Sequence, residues 1–258
     1  MLSGEALPAL GELAIILAAI ALGAFVKGLT GSGLPQIAIP VIAIFLGVER
    51  AVVIMALPGV FTNSWLMWEH RAAASRTRDL PVLLVTGIAG AVIGTIGLSV
   101  LRPAVLSLIL AAMGALYVVR SLADGEFRLP PRVTRWTSGP VGLLAGVLQG
   151  STGVSGPILT VYLHAYRLER SAFIFSMTTL FNILAVAQVL TLLRIGLFTP
   201  ARLIESLATL LPMLVFLRLG ATFSARLSQR RFDLVLLALI SASVVLLVRG
   251  ALLDLLGG

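Results

Sequence analysis

Residues 27–36 read KGLTGSGLPQ, which sets a lysine, two hydroxyls, three glycines, a proline and an amide inside an otherwise apolar stretch. Residues 149–157 read QGSTGVSGP, a related set without the cation. A cation, hydroxyl and amide donors, and glycines that let backbone NH groups approach a guest are the chemistry of anion binding. Neither stretch holds a carboxylate, whereas a sodium or calcium cage draws on several acidic oxygens. The candidate substrate-binding residues are Lys27, Gly28, Thr30, Gly31, Ser32, Gly33 and Gln36 from the first stretch, and Gln149, Gly150, Ser151, Thr152, Gly153 and Ser155 from the second. Asn63 and Asn182, at nearly the same distance beyond each stretch, join them. The expected guest is a small anion.

The elements that must hold these groups are set by composition. The chain has 258 residues, of which 59% are hydrophobic and 12% charged, with a mean hydropathy of +1.06. A polytopic all-α membrane protein is expected, with the lipid bilayer as its surroundings. The N-terminal MLSGEALPALGE has no basic stretch, so the first apolar segment is expected to stay in the fold. There is no cysteine, and the two histidines, His70 and His164, stand far apart. No thiolate catalysis, metal centre or organic cofactor is expected. The net charge of +8 comes from arginines in short loops between apolar runs. Their job there is to set topology, so nucleic acid is not expected as a partner. Oligomeric state is not readable from the sequence.

Apolar runs at about 50–68, 80–100, 103–119, 170–193, 203–218 and 232–249 approach the roughly 20 residues of a spanning helix. Shorter runs at about 12–27, 34–46, 139–149 and 157–166 look like half-helices meeting at breaks. At ~1.5 Å per residue, helices of this length fall short of a hydrocarbon core of ~30 Å. The two breaks align, GLTGSGLP at 28–35 over GSTGVSGP at 150–157, and the likeness continues in LGVER at 46–50 over YRLER at 166–170. The expected organisation is therefore two repeats, residues 1–120 and 139–258, joined by a polar loop over 121–138. Each repeat would be a broken short-helix pair followed by three transmembrane helices. Placing loops 69–79, 120–138, 166–170 and 218–231 on one face gathers 13 of the 18 arginines there. By the positive-inside rule that face is cytoplasmic, both termini lie outside, and the repeats are inverted.

Backbone freed by a broken helix is tolerated in a membrane only where protein or water covers it. Inverted halves that each bring a broken helix to the midplane form the kind of site that secondary transporters use. Pro35 and Pro157 suit the first turn of the helix after each break, where a missing NH costs nothing, and the remaining NH groups carry partial positive charge. Other readings of the same residues stand beside this one. Gly142, Gly146 and Gly150 have the spacing that lets membrane helices pack closely, and Asn63 and Asn182 suit hydrogen bonds between helices. Lys27 is also long enough to snorkel to an interface. His164, Glu205 and Asp233 fit segment boundaries, and Trp65 and Trp68 an aromatic belt. No Walker A sequence, HExxH or nucleophile set is present, leaving a gradient-driven carrier, a passive anion channel as the alternative, and no enzyme.

KGLTGSGLPQIAIPVIA with AVVIMALPGVFTNSW, and GLLAGVLQGSTGVSGPILTVYL with SAFIFSMTTLFNI, resemble the TauE/SafE sulfite exporter family, also called the 4-toluene sulfonate uptake permeases. The resemblance runs in order along nearly the whole chain. Members show a denser glycine run in the first copy, which Ser32 interrupts here. The resemblance implies a bacterial inner-membrane transporter of sulfite, organosulfonates or related sulfur-containing anions, often an exporter. That the anion contains sulfur comes from the resemblance alone.

Overall fold

The computed structural model describes residues 10–30, 33–122, 130–223 and 229–256, and every element among them is helical. In chain order these are α1 (Leu10–Thr30), α2 (Leu34–Leu46), α3 (Val48–Glu69), a 3-10 turn (Arg71–Arg76), α4 (Leu80–Val100) and α5 (Pro103–Leu122), then α6 (Pro131–Thr152), α7 (Gly156–His164), α8 (Arg170–Arg194), α9 (Pro200–Ala208), α10 (Leu210–Phe223) and α11 (Gln229–Leu256). The six long apolar runs are α3, α4, α5, α8, the α9–α10 pair and α11. With α1 they make, among the described residues, seven segments long and apolar enough to cross a membrane.

Two expectations need correction. Residues 12–27 and 139–149 are not half-helices. They belong to α1 and α6, of 21 and 22 residues, which are roughly 30 Å long. Lys27 does not end α1, because a cation in the last turn meets the negative end of the helix dipole. Nor is 121–138 all loop: Pro131 sits in the first turn of α6, so the polar residues 131–138 form its opening turns. Residues 123–129 and 224–228, parts of two expected loops, lie outside the described residues. Only the second member of each broken pair is short, α2 with 13 residues and α7 with 9.

Glycines set the closest helix contacts. A Cβ at Gly142, Gly146 or Gly150 of α6 would collide with the α4 backbone between Leu83 and Thr95, and one at Gly90 or Gly94 of α4 would strike the carbonyls of Leu143 or Val147. Gly28 of α1 and Gly220 of α10 meet in the same way. Such approach gives dispersion contact where apolar burial drives nothing, as in lipid. The other large pairings are α3 with α8 and α5 with α11. A continuous apolar core around Ile16, Ile39, Ile42, Ile54 and Leu110 ties α1, α2, α3 and α5 together, and a second, around Leu83, Leu159, Leu163 and Leu184, joins α4, α7 and α8.

Ion pairs mark the two ends of the bundle. At one end Arg50 reaches both Glu12 and Glu205, and Arg202 pairs with Glu49 at 2.7 Å. We call this the terminal face, since α1 starts there. At the other, Arg76 pairs with Glu169, while Arg78 donates to the Thr134 hydroxyl at 2.6 Å and stacks over Tyr166. These contacts bring the segments around 76, 134 and 169 to one arginine-rich face.

Candidate functional site

The site is built where α1 meets α2 and α6 meets α7. Gly33, at φ +110°, turns the chain into α2, a conformation that favours glycine. Gly153, at φ +69°, closes α6 with its NH on the Gln149 carbonyl. Pro35 and Pro157 both fall at the second residue of the helix that follows, as the sequence alignment requires. Neither the N-cap residue of α2 nor that of α7 caps its helix with a side-chain hydrogen bond. The breaks touch each other: a Cβ added at Gly156 would lie 2.5 Å from the Gln36 amide nitrogen, and one at Gly153 would lie 2.5 Å from the Ile39 side chain.

Beside this junction is a cavity of about 420 Å³. Seven of the expected residues line it: Lys27, Gly33, Gln36, Asn63, Gln149, Gly153 and Ser155. Among the described residues no carboxylate pairs with Lys27. The Gln36 Oε1 is buried and accepts no hydrogen bond. Val52, Met55, Phe173, Met177 and Phe181 supply apolar wall, which lowers the local dielectric and strengthens any charge interaction made inside.

Other expected residues are placed elsewhere. Gly28 and Gly150 face α10 and α4 as packing glycines. The Ser151 and Thr152 hydroxyls donate to the carbonyls of Val147 and Leu148, one turn back in α6. Asn182 is buried on α8, where its Oδ1 accepts from Ser64 at 3.2 Å. Gly31 and Ser32, and the side chain of Thr30, lie outside the described residues.

Gln188 is the contributor that motif reading missed. Its Nε2 donates to the Gln149 and Gly150 carbonyls at 2.9 and 3.2 Å, and the Ser155 hydroxyl donates to Gln149 Oε1 at 2.9 Å. Gln188 thereby supplies the Gly150 carbonyl with a donor and the Gln149 carbonyl, which already accepts from Gly153 NH, with a second. No spacing pattern flags a lone glutamine in an apolar helix, and the one available signal was its polarity in the middle of α8.

From the breaks the cavity reaches His70, His164 and Arg170 at the arginine-rich ends of α3, α7 and α8. His164 and Arg170 are exposed there. Desolvation, then the nearby charges of Arg120 and Arg167, hold His164 below the usual histidine range. Burial is the first cause that holds the Tyr166 hydroxyl above the usual tyrosine range, with Tyr162 and Asp79 adding to it.

A family model described as Sulfite exporter TauE/SafE matches residues 15–247, a span that contains both breaks and every cavity-lining residue. The chain belongs to the TauE/SafE family. With its seven apolar spans it is a multi-pass membrane protein of a transporter family. No curated protein and no solved structure matches this TauE/SafE chain.

Proposed function

We propose that the protein is a secondary transporter that carries a small sulfur-containing anion, sulfite or an organosulfonate, outward across a bacterial inner membrane. The substrate binds in the cavity between the breaks. The single observation that carries this reading is Lys27 on the cavity wall with no carboxylate partner, next to the uncapped starts of α2 and α7. An unpaired cation in an apolar setting is costly unless a guest supplies the counter-charge. Two helix N-termini add partial positive charge toward the same space. Gly33, Gln36, Gln149, Gly153, Ser155 and Asn63 are the further contacts. Gly28, Thr30, Gly31, Ser32, Gly150, Ser151, Thr152 and Asn182 shape or buttress the breaks.

The transport cycle is alternating access between two inverted repeats. Reciprocal packing supports the repeats: the first helix of each half lies on the fourth segment of the other, α1 on α10 and α6 on α4, while the third helices α3 and α8, and the fifth, α5 and α11, pair with each other. A two-fold relation between halves generates such exchange. The arginine-rich face is cytoplasmic, which leaves both termini outside, and the cavity reaches the cytoplasmic side.

The test is sulfite flux into proteoliposomes as a function of concentration. A carrier saturates, and sulfite outside accelerates the exit of labelled sulfite inside. Flux that rises linearly and shows no exchange would assign a passive anion channel instead.

A further inference from the structure

The aligned segments LGVER and YRLER place the pair Glu49–Arg50 at the start of α3 and Glu169–Arg170 at the start of α8, at opposite ends of the bundle. The two glutamates do the same thing. Glu49 takes Arg202 at the mouth of α9, and Glu169 takes Arg76 ahead of α4. The two arginines do not. Arg50 is held by Glu205, which is 2% exposed, and by Glu12, so it ties α3 to α9 and α1. Ser206 adds a hydrogen bond from α9 to the Ile54 carbonyl of α3 at 2.7 Å. Arg170 lines the cavity and has no carboxylate partner among the described residues.

A carboxylate follows each of the two paired arginines at the same spacing, at the N-cap of α4 in one case and inside α9 in the other. Glu205 stands three residues after Arg202, and Asp79 stands three after Arg76. The Asp79 Oδ2 is buried without a hydrogen bond and is paired at 3.6 Å with the Nε of the neighbouring Arg78, a partner it would exchange for Arg170. Asp79 adopts φ +54°, a left-handed conformation that aspartate tolerates, as the N-cap of α4.

We infer that the repeated Glu-Arg pairs are the two gates of the carrier. Arg50 shuts the terminal face on Glu205 and Glu12. Arg170 leaves the arginine-rich face open, and closes it on Asp79 when the first gate parts. This rests on the alternating-access reading above. The device is energetically sound because opening a buried ion pair alone strands a charge, whereas opening one as its counterpart forms keeps the two states close in free energy. Glu49–Arg202 and Glu169–Arg76 are the hinges that stay paired in both states.

The chain has no native cysteine, so a single Ala56→Cys in the cavity wall reports access directly. In oriented proteoliposomes a membrane-impermeant maleimide labels it from the arginine-rich face and not from the terminal face. Glu205→Gln raises terminal-face labelling about tenfold, as expected when one state of a two-state equilibrium loses its stabilising pair. The exchange Arg50→Glu with Glu205→Arg restores protection. Adding Arg170→Gln to Glu205→Gln brings terminal-face labelling back down, because the alternative state then lacks its own closing pair. Terminal-face labelling that stays at background in Glu205→Gln and in Arg50→Gln overturns the inference. If Glu205→Gln does not yield folded protein, a chain with Asp79→Cys and Arg170→Cys carries the test: a disulfide under mild oxidant supports closure, and its absence overturns it. Labelling needs no substrate. A protein that switches faces in Glu205→Gln but neither binds nor moves sulfite would therefore refute the proposed substrate and keep the gates.

Discussion

The two helix breaks are related in sequence but differ in what they leave free. In the second, the polar side chains near the turn are used: Gln188 bonds the Gln149 and Gly150 carbonyls, Ser155 donates to Gln149, and Thr152 bonds back along its own helix. In the first, Lys27 has no carboxylate partner among the described residues and the Gln36 Oε1 has no hydrogen bond. One break is a satisfied scaffold and the other supplies unspent polarity to a shared cavity. Under the proposed function the two breaks divide the work, one fixing geometry and one meeting the guest.

That division is broken or sharpened by substitutions on each side of it. The largest effect is expected from Lys27→Ala. Removing one member of a buried charge pair costs about 3 kcal/mol of sulfite affinity, more than a hundredfold in Kd, with unchanged folding. Isothermal titration of the purified variant measures it. Gly150→Ala should do the reverse: a methyl group against the α4 backbone costs about 2 kcal/mol of stability by overpacking, seen as a lower Tm, with residual binding in the fraction that folds. Gln188→Leu leaves the Gly150 carbonyl at the end of α6 without its donor and the Gln149 carbonyl with only the Gly153 NH. About 1–2 kcal/mol of stability is then lost, and hydrogen exchange should rise at 149–153 more than at 33–37. Ser155→Ala removes one neutral hydrogen bond, for about 1 kcal/mol and a small loss of affinity. An effect of Ser155→Ala larger than that of Lys27→Ala would reverse the assignment of the two breaks.

The smallest effect is a pH dependence. Because His164 is held below the usual histidine range, the unfolded chain takes up a proton before the folded one as pH falls. Stability from this group is full above the ordinary histidine pKa of about 6.5 and declines below it, down to the lowered folded value. Tm should fall more between neutral and mildly acidic pH in the native chain than in His164→Asn.

Much of this was legible in the sequence. Six apolar runs, the paired breaks, the positions of Pro35 and Pro157, and Lys27 on the cavity wall follow from hydropathy and alignment. The lengths of α1 and α6 did not. A lysine inside an apolar run looks like a stop, although at a helix C-terminus the dipole accepts it. PRVTRWTS looks like loop because polarity hides helix where Pro131 starts one. Glu12, Arg50 and Glu205 were also invisible as a cluster, since they are up to 193 residues apart in sequence and only packing of α9 on α3 unites them. Polar residues near breaks look alike on paper, and backbone geometry decides whether a hydroxyl such as Ser151 bonds its own helix or faces the cavity.

The most direct measurement is thermal stabilisation of the detergent-purified native chain and of Lys27→Ala by sulfite, sulfate, thiosulfate, taurine, sulfoacetate and chloride. A rise in Tm with a sulfur oxyanion in the native chain, absent in Lys27→Ala, is the expected result. An equal rise in both proteins would contradict a site centred on Lys27.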